Sequence, residues 1–175
     1  MMTTVTLQGT PTTLSGVLPL LGSLTPDFAL VDTQLKTLSL ADFSGRRKLM
    51  NIVPSLDTPV CAESARAFNR RVADLDDCSL LVISADLPFA QQRFCSIEGL
   101  NKAVTLSTMC ARTFAEDYGL LINEGPLAGL LARAVLVLDE RDRVIYQELV
   151  PEITQEPNYD LALEALRSIS PPCRS

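Results

Sequence analysis

Thiols are the first candidates for chemistry in this chain. There are five cysteines, Cys61, Cys78, Cys95, Cys110 and Cys173, and no histidine. The missing histidine excludes Ser–His–Asp and Cys–His catalysis and any histidine-ligated metal. A thiol that reacts here must be activated by arginine, lysine or a helix dipole. No two cysteines form a C-x-x-C pair, so neither a zinc ribbon nor a thioredoxin-type dithiol motif is indicated. An odd, widely spaced set also makes a poor secreted disulfide framework. It points to a reducing compartment with one or two redox-active thiols.

Cys61 is distinguished by its neighbours. Met50-Asn51-Ile52-Val53-Pro54-Ser55-Leu56-Asp57-Thr58-Pro59-Val60-Cys61 reads as the end of a buried strand, a loop and the start of a helix. Thr58 suits the N-cap and Pro59 the first helical position, which needs no N–H. Cys61 then falls in the first turn, where the helix dipole favours a thiolate. A single cysteine is more often an inert, small buried hydrophobe, but the strand–loop–cap arrangement argues against that here. Thr58, three residues earlier, shares its face and can donate a hydroxyl hydrogen bond. The Val60 and Cys61 N–H groups point out of the helix start. Pro54 shields the sulfur from water.

A cation is still needed. Arg133 stands inside the apolar run 129–136, where a strand begins. Two readings of it stay open: a role beside the thiol, or an ordinary ion pair or snorkelling side chain. The other cysteines carry weaker signals. Cys95 lies late in a helix on a face with Gln91 and Gln92, and alone reads as structural. Cys78 sits in the acidic turn Asp76-Asp77-Cys78, which disfavours a thiolate. Cys110 and Cys173 have no neighbouring pattern and, with Cys78, are read as bystanders.

The elements that position these residues alternate between strand and helix. A hairpin is expected over about 4–14, a short strand over 28–32 pairing with 37–38, and a helical turn over 39–43. Residues 45–48, Gly-Arg-Arg-Lys, read as a solvated connection. Buried strands follow at 49–53 and 80–83, a short strand at 103–106 and a further strand at 134–138. Amphipathic helices are expected from Val60 to about Leu75 and over 160–169, another helix over 88–96 with Gly99 as stop, and a short one over 113–118. Residues 143–149 return antiparallel to 134–138. This order predicts an α/β protein, a mixed central sheet flanked by helices, and the thioredoxin fold is its simplest closure.

With 175 residues, 47% of them hydrophobic, the chain suits one domain over 1–175. Its net charge is −6 and no Lys or Arg precedes Lys36, so no nucleic-acid footprint is expected. No apolar run is long enough to span a membrane. The stretch 14–24 lacks a basic leader and is interrupted by Gly16, Pro19 and Gly22, so a signal peptide is not expected and a cytoplasmic location is.

Pro54-x-x-x-Thr58-x-x-Cys61 resembles the peroxiredoxin signature. The block Ser84-Ala85-Asp86-Leu87-Pro88-Phe89-Ala90-Gln91-Gln92-Arg93-Phe94-Cys95 narrows the resemblance, with Leu106-Ser107-Thr108, Gly125-Pro126-Leu127, Ala132-Arg133-Ala134 and Glu152-Ile153-Thr154-x-Glu156-Pro157. Together they are similar to the bacterial thiol peroxidases, the atypical two-cysteine peroxiredoxins, over nearly the whole chain. The resemblance implies a thioredoxin fold and a peroxidase cycle acting on hydrogen peroxide and organic hydroperoxides. Cys61 would be the peroxidatic cysteine and pass through a sulfenic acid. Thr58 and Arg133 would hold the thiolate and the peroxide oxygens. Cys95 would resolve the sulfenic acid into an intrachain Cys61–Cys95 disulfide, re-reduced by thioredoxin. A homodimer is implied, and no metal, haem or flavin is needed. Two other classes remain to be weighed, a peroxide sensor or redox relay and a thioredoxin-fold protein with inert thiols.

Overall fold

A computed structural model describes residues 3–169; Cys173 lies outside them. The hairpin forms from β1 (Thr3–Leu7) and β2 (Thr10–Ser15), which pair antiparallel with Thr3 opposite Leu14. A short strand that the sequence pattern did not suggest, β8 (Leu121–Ile122), joins β2 to make a three-stranded sheet.

The central sheet has seven strands in the order β10-β9-β5-β6-β7-β3-β4. They are β3 (Leu30–Val31), β4 (Thr37–Leu38), β5 (Arg47–Ile52), β6 (Cys78–Ser84), β7 (Ala103–Ser107), β9 (Ala134–Leu138) and β10 (Val144–Leu149). Strands β5, β6 and β7 run parallel, and β9 is antiparallel to β5 with Ile52 opposite Ala134. A parallel pair needs a crossover. Helix α1 (Pro59–Arg71) supplies it between β5 and β6, and α2 (Pro88–Glu98) between β6 and β7. A 3-10 turn covers Leu40–Phe43, α3 is one turn (Phe114–Asp117), and α4 (Tyr159–Ser168) closes the described chain.

Side chains alternate across a strand, so each central strand feeds two cores. Leu49, Leu80, Val82, Val135 and Val137 pack with Phe68 of α1 and Leu163 of α4. Met50, Ile52, Leu81, Ile83 and Leu136 pack on the other face with Phe114, Tyr118 and the hairpin's Val5 and Leu14. Helices on one face and the small sheet with α3 on the other make the mixed α/β sandwich of the thioredoxin fold, as expected.

One expectation is corrected. Arg47 and Lys48 are not in a solvated connection; they are the first two residues of β5, 5% and 0% exposed. Carboxylates distant in sequence make this possible. Arg47 pairs with Asp77 and donates through Nη1 to the Leu166 and Ile169 carbonyls at the end of α4. Lys48 Nζ lies 2.5 Å from Asp142 and donates to the Arg46 carbonyl. A buried cation persists only when paired and hydrogen-bonded.

Candidate active site

The loop between β5 and α1 is built by Asp86, which leads into α2. Its carboxylate accepts from Ser55 Oγ, the Leu56 N–H and Ser84 Oγ, each at 2.7 Å. Ser84 in turn accepts from Gln91 Nε2, which also donates to the Leu106 carbonyl. The Ser-Ala-Asp block and the buried Gln91 thus tie the loop before Cys61 to the first turn of α2. Pro54 is buried at the end of β5 and opens this loop.

Helix α1 begins with Thr58 at the N-cap and Pro59 at the first position. Its first intrahelical bond runs from the Ala62 N–H to the Thr58 carbonyl at 2.9 Å. The Val60 and Cys61 N–H groups are therefore among those that a helix start leaves free. Cys61 is third in the helix and has no exposed surface. Its carbonyl accepts from Ser64 Oγ at 2.9 Å, and Ser64 accepts from Asn51 Nδ2 of β5 at 3.1 Å. That relay fixes the turn carrying the thiol to the central strand. The signal for it was an asparagine inside an apolar strand, where a polar side chain needs a partner.

The structure places Arg133 beside the Cys61 thiol. The residue is 2% exposed, directly before β9, which lies beside β5. Among the described residues it forms no salt bridge with a carboxylate. Its Nη2 lies 3.3 Å from Cys61 Sγ, and its Nε donates to the Ile153 carbonyl at 3.0 Å. Its Nη1 is buried and has no hydrogen-bond partner among the described residues. A charged donor left unpaired costs more than a neutral one, so this atom is poised for an acceptor that enters beside the sulfur.

Thr58 departs from the expectation. Its backbone is extended, as an N-cap requires, yet its hydroxyl caps no helical N–H. The side chain is exposed and donates to the Ser55 carbonyl at 3.1 Å instead of to the thiol. The tight loop puts that carbonyl within hydrogen-bond reach of the hydroxyl. A groove of about 420 Å³ runs past this point, with Leu56, Phe94 and Ile97 as its apolar part and Asp57, Arg66, Arg93 and Glu98 as its charged part.

Cys95 is half-buried near the end of α2, on the face turned away from that groove. Its thiol lies 3.7 Å from Thr105 Oγ1 of β7. Burial pushes the thiol above its ordinary pKa, and the Thr105 hydroxyl partly offsets this. The Cys95 carbonyl accepts from both the Gly99 and Leu100 N–H groups, where Gly99 ends the helix in a left-handed conformation. Cys78 is buried and pushed up to about 11, chiefly by burial; nearby Arg47 lowers it, and Asp77 adds to the rise. The acidic turn seen in the sequence is thus the lesser cause. Cys110 is exposed.

Residues 20–163 match the Redoxin family. The chain is 50% identical over 166 residues to a thiol peroxidase of Leptospira interrogans serogroup Icterohaemorrhagiae serovar copenhageni (strain Fiocruz L1-130), covering 94% of this chain and 97% of that protein. The chain belongs to the thiol peroxidases of the redoxin family. Its structure superposes on that of a peroxiredoxin-like protein from Aquifex aeolicus with a TM-score of 0.90 at 39% identity, covering 95% of this chain and 98% of the other. A thiol peroxidase from Chromobacterium violaceum gives a TM-score of 0.88 at 28% identity, covering 94% and 95%. The protein is accordingly a peroxidase, an oxidoreductase that reduces peroxide with a thiol. Among the described residues no helix is long and apolar enough to cross a membrane.

Proposed function

We propose that Cys61 is the peroxidatic cysteine of a two-cysteine cycle. Its thiolate attacks the outer oxygen of a hydroperoxide, the O–O bond breaks, and an alkoxide or hydroxide leaves and takes a proton. Cys61 is left as a sulfenic acid. The observation that carries this reading is the contact of Arg133 Nη2 with Cys61 Sγ at 3.3 Å in a water-excluded site, with Nη1 unpartnered beside it. One guanidinium nitrogen holds the attacking sulfur while the other receives charge that develops on oxygen. Thr58 joins them by rotating its exposed hydroxyl from the Ser55 carbonyl, a bond worth only about 1 kcal/mol. Pro54 keeps water from the sulfur. The apolar part of the groove supports organic hydroperoxides as well as hydrogen peroxide as substrates.

Cys95 then attacks the sulfenic sulfur, water departs, and an intrachain Cys61–Cys95 disulfide forms. Thioredoxin returns it to two thiols by exchange. A disulfide needs Cα atoms within about 7 Å, and Cys95 faces Thr105, so its turn of helix must unwind first. Gly99 ends α2 one turn beyond Cys95, where opening is least costly. A single domain over 1–175 is supported by the hairpin's bonds to the 151–153 segment. The described free thiols support a reducing, cytoplasmic setting, and the family resemblance supports a homodimer.

The test uses purified variants with thioredoxin as donor. Cys61→Ser should abolish hydroperoxide consumption, and Cys95→Ser should allow one turnover and then stall. Sustained thioredoxin-driven turnover by Cys61→Ser would overturn the assignment.

A further inference from the structure

Arg133 is an arginine whose aim matters more than its charge. Its Nη2 must face sulfur and its Nη1 must stay free, so the plane of the guanidinium has to be fixed. Among the described residues, the only other bond made by this side chain is from Nε to the Ile153 carbonyl. The backbone on either side is tied to the same segment, because the Val150 N–H donates to the Arg133 carbonyl at 3.0 Å. The orientation of the Ile153 peptide therefore sets the orientation of the guanidinium.

Ile153 lies in a connection between β10 and α4, where backbone is ordinarily the least constrained part of a fold. Here it is pinned by its neighbour. The Glu152 carboxylate accepts from Thr6 Oγ1 at 2.7 Å, the Gln8 N–H at 2.9 Å and the Gly9 N–H at 3.0 Å. It also accepts from the Thr154 N–H at 3.1 Å and Thr154 Oγ1 at 2.7 Å. Every donor but those of Thr154 belongs to the N-terminal hairpin. The hairpin grips the same segment through its backbone: the Thr6 N–H donates to the Pro151 carbonyl at 2.7 Å, and the Ile153 N–H to the Thr6 carbonyl at 2.8 Å. These donors, led by the Thr154 hydroxyl, hold the Glu152 carboxyl well below the usual carboxylate range. The carboxylate thus remains a full acceptor at working pH.

The geometry points to Glu152 as a positioning residue for the peroxide step, acting through the Ile153 carbonyl on Arg133, with the N-terminal hairpin as its anchor. The path is continuous from the hairpin turn to Glu152, the Ile153 peptide, Arg133 and Cys61. The hairpin precedes residues 20–163, the part that matches the Redoxin family, whereas Glu152, Ile153 and Arg133 lie within it. Glu152 touches neither sulfur nor substrate; it fixes the direction from which the cation meets them.

This inference rests on the proposed pairing of Arg133 with Cys61, and the test separates the two. Glu152→Ala, Glu152→Gln, Arg133→Met and the Arg133→Met/Glu152→Ala double variant are made in the full chain. The rate constant of the reduced protein with hydrogen peroxide is measured, alongside kcat and KM for thioredoxin. Glu152→Ala should slow the peroxide step about 10- to 100-fold, the scale of a small misplacement of a reacting group. It should leave KM for thioredoxin unchanged. Glu152→Gln keeps one acceptor oxygen and should recover part of the loss. In the Arg133→Met background, Glu152→Ala should cost nothing further. If Glu152→Ala fails to fold, Thr6→Val removes one hydroxyl donor and should slow the same step about two- to fivefold. A wild-type peroxide rate in a folded Glu152→Ala or Thr6→Val protein would overturn the inference, as would an equal loss with and without Arg133. A wild-type rate in Arg133→Met would instead overturn the underlying pairing, and the inference with it.

Discussion

Helices α1 and α2 both open with a proline and both carry a cysteine, third in one helix and eighth in the other. That difference in position decides what each sulfur meets. Cys61 faces the free N–H end of its helix and the Arg133 guanidinium, and its turn is tied to β5 through Ser64 and Asn51. Cys95 sits one turn from its helix end, meets only a neutral hydroxyl, and is pushed above its ordinary pKa by burial. One thiol is held still beside a cation. The other is stored in a poor environment at a place where the helix can open. A nucleophile needs the first arrangement and a mobile resolving partner needs the second.

Removing the cation should erase most of the contrast. Arg133→Met is expected to slow the reaction of Cys61 with peroxide about 10²- to 10³-fold, the cost of losing one aimed charge-stabilising donor. Disulfide closure, once a sulfenic acid exists, should change far less. Stopped-flow peroxide consumption set against quenched disulfide formation separates the two steps, and equal losses in both would break the comparison.

The second expectation concerns movement. On oxidation, amides over 93–98 should lose hydrogen-exchange protection by about tenfold or more, while those of α1 beyond its first turn keep theirs. Equal protection of both helices in the reduced and oxidised protein would contradict it.

The smallest expected effect is on pH dependence. A thiol with a raised folded pKa stabilises its packed state fully below the unfolded pKa and loses that contribution as pH rises through the folded value. Packing of α2 around Cys95 should therefore loosen with rising pH. If attack follows unwinding, Cys95 reacts with its ordinary acidity. The closure rate should then level off near about pH 8.5. A rate that kept climbing well beyond that value would mean attack from the folded helix.

The same contrast explains what could be read from the chain. The strand, loop and capped helix around Cys61 were legible because turn chemistry and periodicity are local. The Arg133 side chain was legible as an anomaly, a cation in an apolar run, but its partner lies 72 positions away. Arg47 and Lys48 misled for the matching reason. Next to Gly45 and Arg46 they read as solvated, and only Asp77 and Asp142, remote in sequence, make their burial tolerable. The Thr58 hydroxyl turned on a competition between two acceptors, the Ser55 carbonyl and the sulfur, which spacing does not rank. The Ile153 carbonyl carried no signal, since any residue could supply it.

The central claim, that these two unlike thiols are partners, is tested most directly by mass spectrometry of the reduced protein after one equivalent of peroxide, digested without reductant. The account predicts a peptide pair joined between Cys61 and Cys95, with Cys78 and Cys110 still free. A pair joining Cys61 to any other cysteine, or oxidation that spares Cys61, would contradict it.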